Sequence, residues 1–259
     1  MLTLPRHACG FFSCCSVKLC SIIHYYNHYK TLPEVNSANF YVLYQTTKDI
    51  TFDFFKHYQD NHLFIGYDYD LFIDRNCYQF TDYRKVNYNR ILPFVERYFS
   101  PSDEILQTQL MLKQAYKISP ENTIGVYYRG TDKKIETTID SFESYYYKIK
   151  DILQKDSSMQ ILIQSDTTDF IAYMKERFSN AIIILENDTS SSEAGIHNEK
   201  SQEQNYKDMK YLFPTFLILS ECKHLVCGSS NGSIWMMFYR KGTRNVHQNL
   251  NQDWLSEVF

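Results

Sequence analysis

Apolar segments alternate with longer helical segments through the second half of the chain, and this alternation constrains the fold more than any other feature. The apolar segments are rich in β-branched and aromatic residues, which is typical of buried strands. Strands that alternate with helices in this way form parallel βαβ units, so we expect a doubly wound α/β half. The predicted elements are strand 123–128, helix 141–154, strand 159–164, helix 169–178, strand 181–186, loop 187–199, helix 202–221, strand 224–227 and helix 232–239.

The first hundred residues have weaker patterns and predict an α/β region with irregular connections. Gly10-Phe11-Phe12-Ser13 reads as a loop that enters a helix capped by Ser16. The other predicted elements are strand 40–44, helix 50–58, strand 62–66, a loop-rich segment 67–88 and a connecting helix 104–116. The predicted domains are therefore an N-terminal lobe 1–118, a C-terminal lobe 119–242, and a tail 243–259 that packs back on the first lobe.

Composition and charge exclude several classes of function. The net charge of −3 over 259 residues argues against non-specific binding of nucleic acid or of a membrane surface. No run approaches the ~20 apolar residues of a membrane span, and no signal peptide is evident, so we expect a cytoplasmic protein. Seven cysteines, an odd number, favour reduced thiols. The first four lack a C-x-x-C pair, so we expect no metal.

Aromatic residues are unusually frequent, with 22 Tyr and 18 Phe. Such side chains suit sugar rings, because an aromatic face covers apolar C–H groups while a Tyr hydroxyl can form hydrogen bonds. They can equally fill the edges of a core.

Right-handed crossovers place the carboxyl ends of all parallel strands at one edge, where open α/β sheets bind ligands. That edge collects the turn 129–133, Asp166, the loop around His197 and the small-residue segment 228–232. Arg and Lys in the first turn suit a diphosphate, and small residues before a helix suit an anion. Each feature also has a structural reading: Arg129 can pair with Asp132, Asp166 can cap a helix, and 229–233 can be a simple cap.

The same residues resemble a family. Ile-Gly-Val-Tyr-Tyr-Arg-Gly-Thr-Asp-Lys at 124–133 resembles the first motif of the fucosyltransferase superfamily, which includes α1,6-, nodulation and protein O-fucosyltransferases. Ile-Gln-Ser-Asp at 163–166 and Ala-Gly-Ile-His-Asn at 194–198 are similar to its middle motifs. Leu-Val-Cys-Gly-Ser-Ser-Asn-Gly-Ser at 225–233 is similar to its last motif, and residues 10–13 to its N-terminal loop.

This resemblance implies a two-lobed, GT-B-like fold with a Rossmann-like C-terminal half. The C-terminal lobe 119–242 would be the nucleotide-binding lobe that holds the sugar donor, and the N-terminal lobe 1–118 would make most contacts with the acceptor. It also implies an inverting, metal-independent transfer of a sugar from a nucleotide-diphosphate donor to a glycan or glycoprotein acceptor. Arg129 would hold the β-phosphate, Lys133 would lie near the leaving group, and Ser229 with Ser230 would donate to phosphate oxygens. The implied donor-binding residues are Gly10, Phe11, Tyr127, Arg129, Lys133, Asp166, His197, Thr215, Ser229, Ser230, Asn231 and Gly232.

A carboxylate base is expected within a helical turn of Lys133, and Glu136 is our prediction. A strict register would place Thr137 there, and Asp132 and Glu193 are alternatives.

Two positions depart from the family pattern. Tyr127 stands where the family has a His, and Thr215 where it has an acid that reads guanine. A UDP-linked donor such as UDP-xylose is therefore a rival to GDP-fucose. The main alternative function is a catalytically silent module that binds nucleotide-sugar or glycan. A dinucleotide oxidoreductase is disfavoured because no G-x-G-x-x-G motif follows a strand.

Overall fold

A computed structural model describes residues 1–45, 48–58, 78–132, 137–190 and 195–257. Its strands are β1 (Leu2–Thr3), β2 (Val35–Asn36), β3 (Thr123–Tyr128), β4 (Gln160–Ser165), β5 (Ile182–Ile183), β6 (His224–Gly228), β7 (Val246–Leu250) and β8 (Asp253–Glu257). Its α-helices are α1 (Phe11–Tyr29), α2 (Thr51–Phe54), α3 (Tyr88–Tyr98), α4 (Asp103–Ala115), α5 (Phe142–Lys155), α6 (Thr168–Arg177), α7 (Gln202–Glu221) and α8 (Asn231–Arg240).

Within these ranges the larger sheet has six strands in the order β5-β4-β3-β6-β7-β8. The neighbouring strands are parallel except for β7 and β8, which are antiparallel. Strand β3 lies in the middle and is buried at every position. The chain leaves β3 toward β4 and β5 on one side and reaches β6 on the other. The carboxyl ends of β3 and β6 therefore form a topological switch point, where α/β sheets bind ligands.

Alternate residues of β3 face two different layers. Ile124, Val126 and Tyr128 pack with residues of α5 and α6, including Ile149 and Phe170. On the other face, a single cluster of buried residues joins α7 and α8 to the N-terminal half, with members from α1, α3 and α4. The N-terminal lobe and the nucleotide-binding lobe of the sequence prediction therefore share one hydrophobic core.

The α/β prediction is confirmed, and the C-terminal elements 119–242 were predicted closely. Strand 123–128 and helix 202–221 agree residue for residue, and most others shift by one or two residues. Strand 181–186 was too long, because only Ile182–Ile183 pairs with β4. The helix at 104–116 is confirmed as α4, where the Ser102 hydroxyl caps the Ile105 N–H.

Predictions for the N-terminal half were less accurate. Residues 40–44 form turns around an isolated bridge between His7 and Tyr41 rather than a strand. The helix predicted at 50–58 is only Thr51–Phe54, and α3 was not predicted at all. Helix α1 begins at Phe11, so Ser16 lies inside it and does not cap it. Predicted strand 62–66 and residues 67–77 lie outside the described residues.

Residues 243–259 were predicted as a tail packing back on the N-terminal lobe, and this prediction missed the two strands that they form. Strand β7 pairs with β6, and β8 pairs with β7, because the unpaired edge of β6 accepts a further strand. One contact with the first half is present: Gln248 accepts a hydrogen bond from the Tyr83 N–H and donates to the Thr81 carbonyl.

Two further findings concern the described helices and the cysteines. Among the described helices, none combines the length and apolar character needed to cross a membrane. The thiols of Cys14, Cys15, Cys222 and Cys227 are buried and not in disulfides.

Candidate functional site

A cavity of about 570 Å³ opens at the switch point between β3 and β6. This volume is within the usual range for small-molecule sites. Its walls come from the start of α1, the ends of β3 and β4, the loop residues 187–188, the 196–200 loop, one side of α7 and the start of α8. The sequence-predicted site residues among its lining are Gly10, Phe11, Tyr127, Arg129, Asp166, His197, Ser230, Asn231 and Gly232.

Arg129 follows β3 directly and lies in the cavity with its side chain 27% exposed. Its guanidinium donates to both carboxylate oxygens of Asp132, with Nη2–Oδ1 and Nη2–Oδ2 distances of 2.8 and 3.0 Å. Partial burial works against ionisation of Asp132, but Arg129 and then His197 hold the pKa of this carboxyl below its usual value. The pairing of Arg129 with Asp132, one of the structural readings of this turn, is therefore present, and it leaves Asp132 a weak base.

Asp166 holds the turn that carries Arg129. Its Oδ1 accepts from the Gly130 N–H at 2.9 Å, and its Oδ2 accepts from the Thr131 hydroxyl at 2.7 Å. The same carboxylate lies 3.9 Å from Arg129 Nε. Both oxygens therefore hold the turn at Gly130 and Thr131 in place, as expected for a positioning residue that follows β4.

Two helices begin at the cavity from opposite sides. Gly10 to Ser13 at the start of α1, and Ser230 to Gly232 at the start of α8, are in its wall. Neither helix has an acidic residue in its first turn. One N–H group at each helix start already has a hydroxyl partner, Tyr44 for the Phe11 N–H and Ser230 for the Ser233 N–H. The other first-turn N–H groups and the dipole of each helix start favour a bound anion.

The starts of α1 and α8 are tied together. The Ser16 hydroxyl of α1 donates to Asn231 Oδ1 at 2.8 Å and accepts from Trp235 Nε1 at 3.0 Å. Gly232 is required at its position, because a Cβ there would lie 2.7 Å from a Phe216 ring carbon and 2.9 Å from the Tyr127 hydroxyl. The close approach of α8 to β3 and α7 therefore depends on this glycine.

The ring of His197 lies between two glycines. A Cβ built on Gly10 would meet its Cε1 at 3.6 Å, and a Cβ on Gly195 would meet Cε1 at 3.0 Å and Asp132 Oδ2 at 2.7 Å. His197 and Asp132 are thus immediate neighbours in the cavity wall. Asn205 of α7 fixes the loop by donating to the His197 carbonyl at 2.8 Å and to the Leu43 carbonyl at 3.0 Å.

Three predicted residues have other contacts. The Ser229 hydroxyl donates to the Asn249 carbonyl at 2.8 Å, and Ser229 does not line the cavity. Thr215 is fully buried behind the wall and donates to the Tyr211 carbonyl. Ser230 does line the cavity, but its hydroxyl caps α8 by accepting from the Ser233 N–H at 3.1 Å.

The remaining predictions concern the loop after Asp132. Lys133, Glu136 and Glu193 lie outside the described residues. Thr137, the strict-register alternative, donates to Asn251 Oδ1 at 3.2 Å and is not in the cavity wall.

Tyr127 lies in the wall with its side chain almost fully buried, and burial raises the pKa of its phenol to about 12. Its ring meets Phe216 edge to face, with centroids 5.0 Å apart. It therefore presents a neutral hydroxyl where the family pattern has an imidazole.

Sequence analysis missed a charged cluster in the same wall. Lys200 bridges the carboxylates of Asp188 and Asp208. Behind it, the Asn187 amide donates to Gln164 Oε1 at 2.7 Å and to Thr215 Oγ1 at 2.9 Å. The residues come from β4, α7 and two loops, so no local motif connects them. Only their shared position at the strand ends could have indicated them.

In the part of the chain that the structure describes, no group of three or more His, Cys, Asp or Glu side chains is arranged to hold a metal ion.

No family model matches this chain, and no curated protein matches it. Among solved structures, it is similar to NodZ alpha-1,6-fucosyltransferase soaked with GDP-fucose, with 10% identity and a TM-score of 0.41, over 60% of this chain and 47% of that one. The NodZ structure co-crystallised with GDP gives 10% identity and a TM-score of 0.39, over 60% and 46%. An Arabidopsis thaliana FUT1 mutant in complex with GDP gives 13% identity and 0.38, over 62% and 35%.

The two NodZ structures are of an alpha-1,6-fucosyltransferase, a kind of enzyme included in the family that the motifs resemble. The chain spans less than half the length of each. The geometry of the site, rather than these similarities, supports the function proposed below.

Proposed function

We propose that this protein is a glycosyltransferase that moves a sugar from a nucleotide-diphosphate donor to a glycan hydroxyl. The observation that carries the proposal is the cavity at the switch point, where Arg129 and the starts of α1 and α8 surround one space. A leaving diphosphate needs cations and N–H donors where its charge develops. The motif resemblance favours fucose from GDP-fucose as the donor, and the departures at Tyr127 and Thr215 make a pentose such as xylose from UDP-xylose its rival.

Within this proposal the transfer is inverting and needs no metal. Arg129 binds the β-phosphate, which requires it to exchange one contact with Asp132 for contacts with the ligand. The first turn of α8 supplies backbone N–H groups to the same anion. Lys133 adds a second cation near the leaving group, and Glu136 is the nearest carboxylate after Lys133 and is the base that the resemblance suggests.

The rival function is a silent module that binds the nucleotide-sugar without reacting. The pairing of Arg129 with Asp132 favours it, because an Arg129 paired with a carboxylate stabilises the charge that develops on a leaving diphosphate less strongly. The described charged residues of the wall are Arg129, Lys200 and four carboxylates. Binding of a diphosphate therefore depends on the starts of α1 and α8 and on Arg129 exchanging a contact with Asp132 for one with the ligand. Turnover of the donor separates the rivals.

The test is calorimetric titration with GDP, UDP, GDP-fucose and UDP-xylose, followed by a donor-turnover assay with and without EDTA. Arg129→Lys keeps a positive charge but loses the forked pair of donors, so we expect affinity for the nucleoside diphosphate to fall about tenfold, or about 1.4 kcal/mol. EDTA should leave turnover unchanged.

Arg90→Lys is the matched control, since Arg90 is exposed and outside the cavity. Equal affinity in the wild type and Arg129→Lys would contradict the phosphate role. Tight binding of a donor without any turnover would favour the silent module.

A further inference from the structure

Asp132 and Asp166 have carboxylates in the cavity wall, and both carboxylates already accept hydrogen bonds from other protein groups. Arg129 donates to both oxygens of Asp132. Asp166 accepts from Gly130 and Thr131. A carboxylate whose oxygens already accept charge-assisted or backbone hydrogen bonds is a poor proton acceptor.

The lysine of the same wall also has hydrogen-bond partners. Lys200 donates to the carboxylates of Asp188 and Asp208. Lys200 is thus engaged by two carboxylates, and its single positive charge leaves this side of the cavity net negative.

His197 is arranged as a general base would be. Its ring lines the cavity with Arg129, and Asp132 stands beside it, as the two short distances from Gly195 establish. A carboxylate next to an imidazole holds the ring in place and stabilises the imidazolium that forms when it takes a proton. The backbone of His197 is fixed by Asn205, which also reaches the N-terminal half.

The ring position is also built into the neighbouring backbone. A Cβ on Gly195 would lie 3.0 Å from His197 Cε1 and 2.7 Å from Asp132 Oδ2, so the packing of these two side chains requires a glycine there. A Cβ on Gly10 would make an ordinary contact with the ring at 3.6 Å. The ring therefore packs against the backbone at both positions, and one of them depends on the absence of a side chain.

We propose that His197 is the general base of the transfer and that Asp132 is its positioning residue. This inference rests on the proposed function and departs from the motif-based roles, which make His197 a donor-binding residue and Glu136 the base. In the reaction the acceptor hydroxyl gives its proton to a ring nitrogen of His197, and its oxygen forms the bond to the anomeric carbon. The bond between that carbon and the diphosphate oxygen breaks, and its electron pair leaves with the nucleoside diphosphate beside Arg129 and α8.

The decisive experiment is chemical rescue of the full chain. In His197→Ala we expect sugar transfer to fall roughly a hundredfold or more, as for loss of a general base. Donor affinity, measured by calorimetry, should stay within about twofold, because a base acts in the chemical step and not in donor binding. Added imidazole should restore part of the transfer, since the space between Gly10 and Gly195 is then vacant.

His24→Ala, at an exposed site on α1, and imidazole added to the wild type are the controls. Glu136→Gln is the competing variant and should retain transfer if His197 is the base. If His197→Ala does not fold, His197→Asn provides the same comparison, with a polar side chain that cannot accept the proton.

Three results would overturn the inference. Transfer at the wild-type rate in a folded His197 variant would remove His197 from the reaction. A parallel loss of donor affinity without imidazole rescue would make it a donor-binding residue. Loss of transfer in Glu136→Gln together with retained transfer in the His197 variant would return the base to Glu136. These outcomes differ from failure of the proposed function, in which the wild type would neither bind nor turn over any donor of the panel.

Discussion

Lys18 is a fully buried amine on α1 whose hydrogen-bond partners are two hydroxyl groups. Its Nζ donates to Ser37 Oγ at 3.1 Å and to Thr51 Oγ1 at 3.3 Å. Burial lowers the pKa of Lys18 from 10.5 to about 8. The charged amine at neutral pH is therefore less stable in the folded protein than in the unfolded chain, and these hydroxyls only partly replace the lost hydration.

This predicts an alkaline gain in stability. Because the folded pKa is the lower one, the unfolded chain binds more protons between about pH 8 and 10.5, and the free energy of unfolding contributed by Lys18 rises with pH across that window. Below pH 8 the penalty is fully present. Lys18→Met should thus raise stability at pH 7 by on the order of 1–3 kcal/mol and flatten the rise, as measured by urea unfolding at several pH values.

Lys175→Met is the control at an exposed position and should follow the wild-type pH dependence. If Lys18→Met is less stable than the wild type at pH 7 and equally pH-dependent, the amine is not the source of the penalty.

At single positions, the sequence predicted chemistry better than contacts. Arg129 was identified from its place after a strand, and it does lie at the switch point. Ser229 was expected to meet phosphate, yet its hydroxyl bonds to Asn249 of β7, a strand that the sequence did not predict. A side chain whose partner comes from an unpredicted element cannot be placed from local pattern alone.

Elements were predictable where the burial pattern was periodic and both ends were marked. Helix α5 was predicted from residue 141, and the Ser141 hydroxyl caps it by accepting from the Ser144 N–H. Strand β3 was recognisable because both of its faces are buried. The segment 40–44 has the same apolar composition but packs as turns against α1, with the Tyr44 hydroxyl accepting from the Phe11 N–H. Composition does not distinguish a strand from a buried turn.

The contact between β3 and α7 allows a test at the level of elements. A Cβ on Gly125 would lie 2.9 Å from Leu219 Cδ2 and 3.1 Å from Cys222 Sγ. Gly125→Ala must push α7 away from the sheet, and we expect a loss of about 1–3 kcal/mol in urea unfolding. Leu219→Ala should cost about 2–5 kcal/mol alone.

The double variant should lose less than the sum of the two by more than about 0.5 kcal/mol, because removing the leucine methyl makes room for the new one. Gly125→Ala combined with Ile149→Ala is the control, since Ile149 packs on the opposite face of the sheet. Additive losses for Gly125 with Leu219 would mean that the two do not meet.

At the scale of the whole molecule, the division into lobes stays a prediction, and the packing between the two ranges is what the sequence did not indicate. Helices α7 and α8 are C-terminal, yet their apolar faces pack against α1, α3 and α4. The ring of Phe12 stacks on Phe216 at a centroid distance of 4.9 Å, and Phe99 lies 4.7 Å from Trp235. Which faces of two helices meet depends on the path of the whole chain. Local patterns in a single sequence do not predict that path.

A shared core predicts a single cooperative transition, and the two tryptophans can report it. Trp235 is buried among side chains of both halves, whereas Trp254 of β8 packs against Tyr145 on the other face of the sheet. In Trp254→Phe and Trp235→Phe, the fluorescence of the single remaining tryptophan should give the same urea midpoint as far-UV circular dichroism of that variant. Two midpoints within either variant would show that the faces unfold separately and that the predicted lobes behave as domains. Coincidence in both would mean that the cavity, whose walls come from both halves, is formed only when the whole molecule is folded.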